Sequence, residues 1–83
     1  LAETLSDEDR AAMIEGMVSG LATRLATEGG PAEDWARLIA AYGVLGQQDT
    51  ARSIAKEART VFEGHDYEIF LIEQAEVRAG LTQ

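Results

Sequence analysis

The sequence predicts an all-α domain of about four helices packed as antiparallel hairpins. Two observations predict it. Apolar residues recur at spacings of three and four along nearly the whole chain, and no stretch alternates as a strand would. Glycines at Gly29, Gly30, Gly46, Gly64 and Gly80 punctuate that pattern. The breaks are short, so successive helices must fold back on one another. With 83 residues the chain makes one domain, 1–83, around one modest core.

The leading helix is expected over 6–28. Ser6 can cap it, and Asp7, Glu8 and Asp9 in the first turn complement the helix dipole. Its apolar stripe runs Met13, Ile14, Met17, Val18, Leu21, Leu25, and Gly29 and Gly30 end it. Gly16 and Gly20 lie inside this helix. Each costs about 1 kcal/mol relative to Ala, so the close approach of another helix is expected to compensate. A membrane-dimer role for that spacing fails, because Glu15 and Arg24 interrupt any lipid-facing stretch.

A helical hairpin is expected over 31–64. Pro31 suits a first helical residue, where a missing N–H costs nothing. Trp35, Leu38, Ile39, Tyr42 and Leu45 share one face up to Gly46. Gln48 or Asp49 opens the next helix, with Ala51, Ile54, Ala55, Ala58, Val61 and Phe62 inward and Gly64 closing it. A capping helix over 66–80 starts at Asp66 and carries Tyr67, Ile69, Phe70, Ile72, Ala75 and Val77.

Composition excludes several functions. Seven basic and fifteen acidic side chains give a net charge of −8. That argues against nucleic acid, which needs clustered Lys and Arg, and it favours encounter with a basic partner. An apolar content of 46% is that of a folded domain rather than a disordered acidic tail. Without cysteine there is neither a disulfide nor a thiolate metal site. The chain begins at Leu1 rather than Met, as a piece of a longer protein would, and no window is apolar enough to span a bilayer. Any membrane anchor is expected in parts of the parent outside this segment.

Candidate chemistry is sparse. His65 is the single histidine and falls between helices beside Glu63, Asp66 and Tyr67, which reads as a solvated or capping residue rather than a metal or haem ligand. Met13 and Met17 share a helix face and read as core filler rather than haem ligands. There is no Ser–His–Asp or Cys–His set and no phosphate loop, and Asp7 to Asp9 lack calcium-loop spacing. The chain therefore reads as non-enzymatic, with no catalytic residues, cofactor or metal.

The segment 32–65 resembles a tetratricopeptide repeat. Trp35, Leu38 and Tyr42 match its first helix, Gly46 its turn, and Ala51 and Ala58 the small positions of its second helix. The capping helix starts on period, since Ile69 follows Trp35 by 34 residues. Three positions depart: Ile39 replaces Gly, Ala55 an aromatic and Glu63 Pro. The first two changes have opposite signs in volume, so bulk can pass from one helix to the other. The leading helix, shifted by the same period, is a degenerate neighbour or a cap.

In such a repeat Trp35 and Tyr42 are internal. The groove would be lined by Glu33, Ala36, Arg37, Ala40 and Val44. One period on, it would be lined by Tyr67, Phe70, Leu71, Gln74 and Arg78. Tyr67 and Phe70 are the natural anchors, aromatics being common hot spots. The competing reading puts Phe70 in the core of the capping helix.

A longer resemblance runs from Met13 to Phe62. It is carried by Met13–Val18 (MIEGMV), Leu21–Leu25 (LATRL), Asp34–Leu38 (DWARL) and Ala41–Gly46 (AYGVLG). In this order they are similar to the C-terminal part of the CcmI/CycH family of cytochrome c-type biogenesis proteins. The resemblance implies a periplasmic helical-repeat domain of a cytoplasmic-membrane protein. It further implies a chaperone that holds apocytochrome c, notably its C-terminal helix, for subunits of the haem ligation complex. The alternative left open is a generic tetratricopeptide adaptor or oligomerisation domain with an unrelated protein partner.

Overall fold

The computed structural model describes residues 6–81. Among them are four helices, α1 (Asp7–Glu28), α2 (Ala32–Val44), α3 (Gln48–Val61) and α4 (Asp66–Arg78), and no strand. The Ser6 hydroxyl accepts the Asp9 N–H at 3.1 Å, satisfying one of the first-turn donors of α1. At the other end Gly29 takes φ 75°, where a Cβ would be strained, and donates its N–H to the Leu25 carbonyl at 3.0 Å. Two starts fall one residue from expectation. Pro31 and His65 are the N-cap residues of α2 and α4, so Asp66 lies in the first turn, where its carboxylate still meets the helix dipole.

Hydrogen bonds between helices fix the topology. Near one end of α1 Arg24 pairs with Asp34 at 3.2 Å, and further back Glu15 accepts a bond from Gln47, so α1 runs antiparallel to α2. Gln48 donates to the Ala79 carbonyl at 3.2 Å while Arg59 bonds Glu76, so α3 and α4 are antiparallel as well. The α2 and α4 helices lie parallel with their C-terminal ends together, and this is the most extensive packing in the domain.

Volume complementarity explains the core. Trp35, Leu38 and Ile39 project from α2 and are fully buried, as is Ile72 from α4. The facing side of α3 is alanine at Ala51, Ala55 and Ala58, all buried, which lets bulky α2 side chains press against a nearly flat helix. Ile39 and Ala55 both belong to this core, consistent with bulk held on α2 rather than α3. Trp35 gains most by burial, but its indole N–H has no acceptor among the described residues.

Several expected core residues face water. Met13, Ile14 and Met17 are exposed, Met17 by 71%, because no other described element covers their side of α1. The close approach expected at Gly16 and Gly20 is absent, since a methyl built at either meets nothing within 4 Å. Val61 and Val77 are exposed too. Phe62, a full turn beyond Ala58, takes the inward place instead of Val61, and Val77 lies across the helix from Ala75. The tight contact is at Gly43, where a Cβ would sit 2.6 Å from the Ala79 Cα.

Two stability predictions follow from this packing. Trp35→Ala should lower unfolding free energy by ~3–5 kcal/mol in urea melts, and a loss below about 1 kcal/mol would place the indole outside the core. Glycine substitutions should split by sign. Gly16→Ala and Gly20→Ala should each stabilise by ~0.5–1 kcal/mol. Gly43→Ala should destabilise by ~1–3 kcal/mol, because overlap with backbone outweighs the helix propensity gained. A raised melting temperature for Gly43→Ala would mean that the ends of α2 and α4 are not in contact.

Candidate functional site

The parallel α2 and α4 helices present neighbouring faces backed by α3. From α2 come Glu33, Ala36, Arg37 and Ala40, spaced i, i+3, i+4 and i+7 on one face. From α4 come Phe70, Leu71, Gln74, Ala75 and Arg78. Together they line an open groove of about 560 Å³ with apolar walls and polar edges. The small side chains of Ala36 and Ala40 leave room opposite the Phe70 ring.

Eight of the ten residues assigned to a groove from the sequence meet here. Val44 and Tyr67 do not line it. Val44 is 81% exposed on the last turn of α2, and Tyr67 is exposed on the first turn of α4. Ala75 is the residue that sequence reasoning missed, being buried and forming floor rather than rim. Its spacing of four from Leu71 was the available signal. Phe70 is 51% exposed, which settles the competing core placement against it.

Ion pairs hold the walls in place. Arg59 of α3 donates twice to the Glu76 carboxylate of α4, one bond being Nε to Oε2 at 3.3 Å, and lies 3.9 Å from Glu73. The Glu76 hydrogen bond raises the Arg59 pKa from its ordinary value, partial burial opposes this, and the charges of Glu76 and Glu73 add to it. The group is cationic throughout the working pH range, so it acts as a fixed clip between α3 and α4. Within the groove, Arg37 reaches Asp34 at 3.8 Å, but Asp34 is already held by Arg24 at 3.2 Å. Arg78 makes no hydrogen bond or ion pair with any described residue.

A second, shallower hollow of about 420 Å³ lies between α1 and α2, lined by Ile14, Met17, Val18 and Leu21 with Arg24, Arg37 and Ala41. Sequence reasoning missed it by assigning Ile14 and Met17 to the core. Arg37 stands on the ridge between the two hollows. His65 is exposed at the turn before α4. Among the described residues no group of three or more His, Cys, Asp or Glu could hold a metal ion. No described helix is long and apolar enough to cross a membrane.

No protein-family model matches the chain, and no solved structure matches it. Curated relatives do. The cytochrome c-type biogenesis protein CycH of Bradyrhizobium diazoefficiens is 46% identical over 55 residues, which are 66% of this chain and 15% of that protein. The protein of the same name from Rhizobium meliloti is 39% identical over 61 residues, 74% of this chain and 16% of the relative. The chain thus spans about a sixth of the length of either. Two such similarities to proteins of one name make this chain a relative of the CcmI/CycH family of cytochrome c-type biogenesis proteins.

Proposed function

We propose that this chain is a protein-binding module of the cytochrome c maturation system, working without catalysis. It holds an amphipathic helix of a client protein in the groove between α2 and α4. The observation that carries this reading is the groove itself: two parallel helices present an apolar floor, small residues at Ala36 and Ala40, and the half-exposed Phe70 ring. Helix-in-groove recognition needs such a floor with room for side-chain anchors. The client that fits the family is apocytochrome c, bound by its C-terminal helix and passed to subunits of the haem ligation complex. The domain would then be a tetratricopeptide-like unit on the periplasmic side, with any anchor supplied by other parts of the parent.

A groove this short should bind weakly alone. With one hairpin and one capping helix it covers only a few turns of a client, so affinity of the isolated chain is expected in the ~micromolar range or weaker. Phe70→Ala tests the site. Fluorescence titration of a C-terminal apocytochrome c peptide should show about tenfold weaker binding than wild type, the size of a modest hot spot. Urea melts should change by less than about 1 kcal/mol, since the ring is half in water. Equal affinity in both would remove Phe70 from the site. Failure of the parent's full periplasmic domain to bind the peptide would remove the chaperone reading.

A further inference from the structure

A net charge of −8 suggests a basic occupant, but the groove is charged the other way. Its ionisable lining is Arg37 and Arg78 against Glu33 alone. The other arginines with described ion pairs, Arg24, Arg52 and Arg59, hold carboxylates tightly. Arg37 has only a distant share of Asp34, with its side chain 74% exposed, and Arg78 has no described partner. Two loosely committed guanidiniums therefore stand on opposite walls of one apolar groove.

Their spacing carries chemical information. The C-terminal ends of α2 and α4 meet at Gly43 and Ala79. Arg37 lies six residues before Gly43 and Arg78 one before Ala79, so the two are offset along the groove by five residues, about 7.5 Å at 1.5 Å per residue. Residues i and i+5 of a helix are about 7.5 Å apart along its axis and about 140° apart around it, so they face opposite walls. We propose that the groove selects a helical segment with acidic edges, two Asp or Glu side chains at i and i+5 facing Arg37 and Arg78 from its two sides. This rests on the groove being a peptide site. Guanidinium–carboxylate pairing supplies the recognition. The remaining acidic surface does not cancel it, because at ~0.15 M salt charges are screened beyond about 8 Å. At low salt the field of the whole chain opposes such an occupant, so its association should quicken as salt rises toward physiological strength.

The test uses the full 83-residue chain and two labelled, C-terminally amidated synthetic helices with the same leucine stripe. One carries Glu at i and i+5, on either side of that stripe, the other Lys. At physiological salt the acidic peptide should bind about tenfold tighter, and the double variant Arg37→Glu, Arg78→Glu should invert that order. Arg78→Gln alone should weaken the acidic peptide about threefold, a readout that survives if the double variant folds poorly. Equal or tighter binding of the lysine peptide to wild type, or no inversion, would overturn the charge inference and leave the groove standing. Binding of neither peptide to wild type would overturn the groove reading beneath it.

Discussion

The α2 helix packs against all three others, and its fit into the alanine face of α3 is the contact the domain depends on. Bulk is concentrated on one side of that contact. Trp35, Leu38 and Ile39 need a partner that keeps its own side chains short, and Ala51, Ala55 and Ala58 provide it. A larger residue at any of these alanines would lift α2 away and separate α2 from α4 at their shared end. The groove exists because this seating brings the outer faces of α2 and α4 side by side. Its geometry is thus set by residues that no ligand touches.

Much of this was legible beforehand. Spacing of three and four, glycine breaks and the Trp35, Leu38, Tyr42 series identified four helices and their order, because burial of an α2 stripe obeys the helical period directly. The groove-facing positions were legible for a related reason. Once one face of a repeat helix is inward, the positions beside it are fixed by the 100° step, and a 34-residue period carries them to α4.

What was not legible depends on which side of each helix a neighbour covers. Met13, Ile14 and Met17 obey the same apolar period as buried residues, and no local signal says that their side of α1 is left uncovered. The glycines misled for the same reason. Gly16, Gly20 and Gly43 all sit inside helices and carry the same intrinsic cost, yet only Gly43 lies at a backbone contact. Charge behaved likewise. Net charge is an average over the surface, whereas the sign inside the groove depends on which arginines already hold a carboxylate.

The uncovered side of α1 has an energetic consequence of its own. Only Val18 and Leu25 of this helix are buried, and Glu15 accepts a bond from Gln47. The turns before Glu15 carry the Ser6 cap and bury no side chain, with two glycines just behind. A helical stretch so short, with no buried side chain, is barely self-supporting in water. Amide hydrogen exchange along α1 should therefore fall off as a gradient, slow around Leu25 and fast toward Asp9, independent of global unfolding. Such a gradient would make the leading turns an opening unit distinct from the end of α1 that buries Leu25.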